Sequence, residues 1–170
     1  EGMWLPFLIG EQKYAEMQEM GLKLTPDELF SLNSSSLKDA IVMLDGGSCS
    51  AEIVSPKGLL FTNHHCGYDD IQAHSSVDHD YLSDGFWAMS MEDELPNPGK
   101  TASLLIRVQD VTSVVLNELT DKMTEHERNA KIEEISKDII SKATEGTNFN
   151  GEVSVMFEGS EFYLFVYETF

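Results

Sequence analysis

The sequence predicts a mixed α+β fold, and three observations carry that prediction. Residues 48–63 read as two short strands joined by a tight turn. Residues 102–111 and 152–167 add further strand-like runs, and 124–144 has helical periodicity. At 170 residues with 41% apolar side chains, the chain has the size and the material for a folded core.

The elements follow in chain order. Residues 11–20 are expected to form a short helix stopped by Gly21, with Tyr14, Met17 and Met20 at helical spacing. Thr25 before Pro26 has the form of an N-cap with proline at the first helical position, opening a second helix through Leu32. Asn33 and the three serines after it read as a loop. From Ala40 the character turns to strands: an apolar run over 40–44 closes on Asp45-Gly46-Gly47, a turn signal. In the run over 48–55, Cys49, Ala51, Ile53 and Ser55 share one face, and Ser50, Glu52 and Val54 the other. Pro56-Lys57-Gly58 turns the chain into a strand over 59–63, which makes the pair an antiparallel hairpin.

A polar stretch then runs irregularly to about Lys100, and residues 102–111 form a long strand. Residues 124–144 are the clearest helix. Ala130, Ile132, Ile135, Ile139 and Ala143 make its apolar stripe, with Glu127/Lys131, Glu133/Lys137 and Asp138/Lys142 as ion pairs four residues apart. That pattern describes a packed surface helix with no call for a cofactor. Residues 152–157 alternate as a strand, Glu158-Gly159-Ser160 turns, and 162–167 begin another. The sequence stops at Phe170 inside this aromatic run. A last strand without a partner would expose aromatic surface, so the sequence reads as a piece of a longer protein.

Charge excludes whole classes of function. Eleven basic residues against thirty acidic ones give a net charge of −19, which repels phosphate backbones and anionic lipid alike. Such a balance suits the solubilising surface of an exported protein. No apolar run approaches the ~20 residues that span a bilayer. The first nine residues lack the basic start and small-residue cleavage site of a signal peptide, and read as the start of a mature chain whose leader is gone. The two cysteines, Cys49 and Cys66, are either one bridge or two buried thiols, and their count alone does not fix the compartment.

The most informative segment is the hairpin from Gly47 onward, which ends Thr62-Asn63-His64-His65-Cys66. It resembles the first hairpin of chymotrypsin-like peptidases, in which a cysteine-bearing strand leads through a turn to a strand ending Thr-Ala-Ala-His-Cys. The resemblance implies that His65, directly before the cysteine, is the general base and that Cys49 and Cys66 are bridged. Imidazole suits the task because its proton affinity lies near neutral pH. One ring nitrogen takes the proton of a serine while the other donates to an aspartate. A bridge closing a loop of ~15 residues is worth about 3 kcal/mol in the loop-entropy account. His64 is the competitor, and adjacent residues on a strand face opposite sides.

Four blocks narrow the resemblance: Glu1-Gly2-Met3-Trp4, the run over 58–67, the run over 81–88 and Tyr163-Leu164-Phe165-Val166-Tyr167. Together they are similar to the bacterial dipeptidyl-peptidase 7 and 11 family, along the whole length of this chain. The resemblance implies a periplasmic or cell-surface serine peptidase that releases dipeptides from peptide amino termini and acts as a homodimer; no cofactor or metal is expected. It implies a double β-barrel peptidase domain with a large helical insertion. Residues 1–170 would be the amino-terminal part of that domain, incomplete without downstream sequence, with the first barrel hairpin at about 40–66 and the amphipathic helix at about 124–144. The family's aspartate and its Gly-Asn-Ser-Gly serine segment do not occur here. Ser48 is a poor nucleophile on this reading, because it lies on the bridge strand rather than in a loop presenting backbone N–H groups to an oxyanion.

Two rival readings remain. His64, His65, Cys66, Asp69, Asp70, His74 and His79 cluster in sequence and are candidate zinc ligands, although no familiar ligand spacing appears and a bridged Cys66 is lost to a metal. A peptidase-like half barrel without catalysis, serving as a structural or docking module, is the other.

Overall fold

The computed structural model describes residues 6–9, 13–32 and 34–170. In chain order its helices are α1 (Tyr14–Glu19), α2 (Pro26–Leu29), α3 (Tyr68–His74), α4 (Tyr81–Asp84), α5 (Thr112–Leu116) and α6 (Glu125–Thr144). Its strands are β1 (Ile41–Leu44), β2 (Cys49–Ile53), β3 (Leu60–Phe61), β4 (Ala102–Asp110), β5 (Asn150–Met156) and β6 (Glu161–Thr169). The fold is mixed α+β, as the sequence predicts. Two compact units divide it: residues 40–103 form one, and residues 1–39 with 104–170 form the other.

The unit of residues 40–103 is built on the three-stranded order β3-β2-β1. β1 and β2 are antiparallel with Val42 opposite Ala51 and Leu44 opposite Cys49, and Glu52 and Ile53 of β2 pair with Phe61 and Leu60. Val42, Leu44 and Ala51 are buried, and the alternation expected along 48–55 holds. The β1–β2 turn takes positive φ at Asp45, Gly46 and Gly47, the conformation its glycines favour. The strand expected over 59–63 is cut to two residues. His64–Cys66 leave it in a single 3-10 turn, so neither histidine is on a strand. The stretch to Lys100 is less irregular than its composition suggests, since it carries α3, α4 and a 3-10 turn at Met91–Asp93.

In the other unit, β5 and β6 form a full antiparallel hairpin, from Asn150 opposite Tyr167 to Met156 opposite Glu161, within the order β4-β6-β5. Phe162, Leu164 and Val166 of β6 pack with Val111, Val115 and Ile135 into the core. The aromatic run at the chain's end is therefore mostly covered, contrary to the expectation of bare aromatic surface, although Phe170 is exposed. α6 starts where the sequence places it. Thr124 accepts from the Glu127 N–H while the Glu127 carboxylate accepts from the Thr124 N–H and hydroxyl. That engagement takes Glu127 away from the expected pair, and Lys131 meets Glu134 instead; the other two pairs form. Ile132, Ile135, Ile139 and Ala143 face the core as expected, whereas Ala130 is exposed and Ile140 joins them. Gly151 of β5 lets the helix approach, because a Cβ there would stand 3.1 Å from an Ile140 methyl carbon.

The early helices are shorter than expected. α1 leaves Met20 exposed before Gly21 ends it with φ +102°. α2 has the expected Thr25 cap, closed by Glu28, but stops at Leu29. Asn33 and the Glu1-Gly2-Met3-Trp4 block lie outside the described residues, as does the start of the first expected helix.

Candidate functional site

The candidate site lies wholly in the unit of residues 40–103, and local chemistry positions it. β3 is short because Thr62 leaves the ladder and donates its hydroxyl to the Ser50 carbonyl at 2.8 Å, holding the strand end against β2. Cys66 N–H then donates to the Asn63 carbonyl at 2.9 Å and Gly67 N–H to the His64 carbonyl at 3.1 Å, which winds 64–66 into its turn. Cys66 is joined to Cys49 by a disulfide, with their Cα atoms 6.1 Å apart. The histidine turn is thus tied to the first residue of β2.

His65 is exposed, and one of its ring nitrogens lies within 4.8 Å of both disulfide sulfurs. His64 turns elsewhere and meets the Tyr68 ring edge-on at a centroid distance of 5.9 Å. The two histidines diverge because successive residues of a 3-10 turn are about a third of a turn apart. The strand alternation expected from the sequence is not the reason.

The remaining members of the sequence cluster are dispersed. His74 Nε2 donates toward the Pro96 carbonyl at 3.1 Å and Asn97 Oδ1 at 3.0 Å, which stitches α3 to the loop before Lys100. His79 stacks on Tyr81, and Asp70 is paired with Lys100. Among the described residues, Cys49, His65 and Cys66 are the group of metal-ligating types that comes together, and the disulfide occupies both sulfurs. The zinc reading of the cluster does not fit this arrangement. Ser48 sits in the turn one residue before β2 rather than on the strand, with its hydroxyl donated to the Leu44 carbonyl at 3.3 Å.

Lys100 is the site residue that sequence reasoning missed. Its ammonium lies 2.8 Å from the Asp45 carboxylate and 2.6 Å from that of Asp70, and it reaches the Cys66 carbonyl at 3.4 Å. Asp45 and Thr101 also exchange two bonds: Asp45 N–H donates to the Thr101 carbonyl, and Thr101 N–H to the Asp45 carboxylate. The Lys100 contact, followed by the Thr101 N–H, holds the Asp45 carboxyl below the usual carboxylate range. The two carboxylates, Asp45 first, push the Lys100 ammonium above its ordinary value. No local pattern signals this cluster, because Lys100 lies 30 residues from Asp70 and Thr101 lies 56 from Asp45.

Beside α3 a cleft of about 310 Å³ is lined by Asp70, Ile71, His74, Phe86, Glu94 and Asn97 among others. No helix of the described residues is long and apolar enough to cross a membrane.

Comparison with known proteins agrees along the whole chain. The family model for peptidase S46 matches residues 1–170. An Asp/Glu-specific dipeptidyl-peptidase of Flavobacterium psychrophilum is 48% identical over 170 residues, which are 99% of this chain and 24% of that protein. A dipeptidyl-peptidase 7 of Porphyromonas endodontalis is 42% identical, over 100% of this chain and 21% of its own length. The crystal structure of Porphyromonas endodontalis DPP11 in complex with the dipeptide Arg-Asp superimposes with a TM-score of 0.85 at 40% identity, covering 99% of this chain and 25% of that one. The chain spans about a quarter of the length of the curated relatives it matches.

Proposed function

The chain belongs to the peptidase S46 family, and we propose that it is part of a serine-type dipeptidyl-peptidase in which His65 is the general base. The observation that carries the reading is His65 itself: an exposed imidazole, one residue from a disulfide, on a turn fixed to the start of β2. The relatives named as dipeptidyl-peptidases support the substrate class, namely peptides with a free amino terminus.

In this reading the nucleophilic serine and the orienting aspartate come from outside residues 1–170. His65 takes the proton of the serine hydroxyl as its oxygen attacks the carbonyl of the second substrate residue. It returns the proton to the departing amine, which leaves the dipeptide as an acyl ester. Water, deprotonated by the same imidazole, then releases the dipeptide and restores the serine. The disulfide supports placement in an oxidising compartment, the periplasm or cell surface. The homodimer belongs to the same proposal.

The test is a pair of variants in the full-length enzyme, assayed on dipeptidyl reporters with acidic and with apolar residues at the cleavage position. His65→Ala is expected to lower kcat by about three orders of magnitude or more. His64→Ala keeps most turnover and loses about 1–2 kcal/mol of stability through its Tyr68 contact. A folded but inactive His64→Ala beside an active His65→Ala would name the other histidine. Residues 1–170 alone are expected to be inactive, and turnover by them that His65→Ala abolishes would overturn the assignment of the nucleophile to another part of the protein. The non-catalytic module predicts no turnover even from the full-length protein.

A further inference from the structure

We propose that Lys100 is a positioning residue for His65, a role that rests on the reading of His65 as general base. The histidine turn is held at two points. The disulfide supplies one by joining Cys66 to β2. Lys100 supplies the other, since its ammonium bonds the Asp45 carboxylate after β1, the Asp70 carboxylate in the first turn of α3 and the Cys66 carbonyl between them. Lys100 is itself held in place, because the Thr101 N–H next to it donates to Asp45 and the Asp45 N–H donates to the Thr101 carbonyl.

The arrangement is specific to a cation with several donors. Asp45 and Asp70 both approach one ammonium, so without it two carboxylates would face each other across the root of the histidine turn. α3 would then be free to shift away from the turn between β1 and β2. The backbone that changes course is that of Cys66 and Gly67, adjacent to His65. A displaced imidazole still permits substrate to bind at contacts made elsewhere, but proton transfer requires hydrogen-bond reach. The effect therefore falls on kcat and leaves KM nearly unchanged.

The experiment uses the full-length enzyme with Lys100→Met, Asp45→Asn/Asp70→Asn/Lys100→Met and His65→Ala, each assayed well below its own melting temperature. Lys100→Met is expected to lower kcat about 10- to 100-fold, with KM within about twofold of the parent. The triple variant removes the stranded carboxylates, so its melting temperature recovers toward the parent while its kcat stays low. Parental kcat in Lys100→Met, or full recovery of kcat along with stability in the triple variant, overturns the positioning role and leaves Lys100 a stabilising ion pair. His65→Ala separates the two failures. If it is inactive while Lys100→Met is not, only the role of Lys100 falls; if it is active, the general-base reading falls and takes this role with it.

Discussion

Thr62 donates its hydroxyl to the Ser50 carbonyl at 2.8 Å, one residue beyond the last rung of the β2–β3 ladder. The bond substitutes for a ladder that ends too early to hold the histidine turn. Thr62→Val keeps the side-chain shape and removes the donor, and an ordinary hydrogen bond is worth about 0.5–1.5 kcal/mol. The expected loss is about 1 kcal/mol in denaturant unfolding with an unchanged m-value. A variant as stable as the parent would show that the contact contributes nothing.

Cys49 and Cys66 are separated by 17 residues, and the loop-entropy account assigns a bridge of that span about 3 kcal/mol. The oxidised protein, denatured without reductant, is expected to show no titratable thiol. Cys49→Ala/Cys66→Ala should be destabilised by about that amount. Two free thiols in the oxidised protein would exclude the bridge.

The Asp45–Lys100 pair has a pH signature on both sides. Asp45 titrates below its unfolded value of about 4, so its contribution is whole above that value and is lost as pH falls through the lowered folded pKa. Lys100 titrates above its unfolded value of about 10.4, so its contribution is whole below that value and is lost as pH rises through the raised folded pKa. Unfolding measured against pH should show shallower losses at both extremes in Asp45→Asn than in the parent. Parallel curves would show that the pair does not stabilise the fold.

What the sequence made legible follows from how local each signal is. α6 was readable because Thr124 and Glu127 announce its start within one turn and Ile132, Ile135 and Ile139 repeat along one face. The hairpin was readable because Cys49, Ala51 and Ile53 alternate and Gly58 turns at φ +84°. α3 was missed because Ile71 is its one aliphatic anchor, and its support comes from Lys100 and from the Pro96 carbonyl. The 3-10 turn at His64–Cys66 was missed for a related reason. The strand pattern of 59–63 runs on into residues whose backbone follows the Thr62 bond and the turn's own hydrogen bonds. His65 could be nominated from its neighbours in sequence, but Lys100 has neighbours only in space.

The unit carrying His65 is continuous, residues 40–103, whereas the other needs 104–170 to join 1–39. This asymmetry sets an order of events during synthesis. A ribosome has delivered Asp45, Cys49, Cys66, Asp70 and Lys100 before any residue of α6 or β6 exists. Domains generally fold as units while the chain emerges, the earlier ones first. The hydrogen bonds and ion pairs described around the histidine turn therefore need no residue beyond Thr101 and precede Val111, Val115 and Phe162, the core of the second unit, while the Cys49–Cys66 bridge waits for the oxidising compartment.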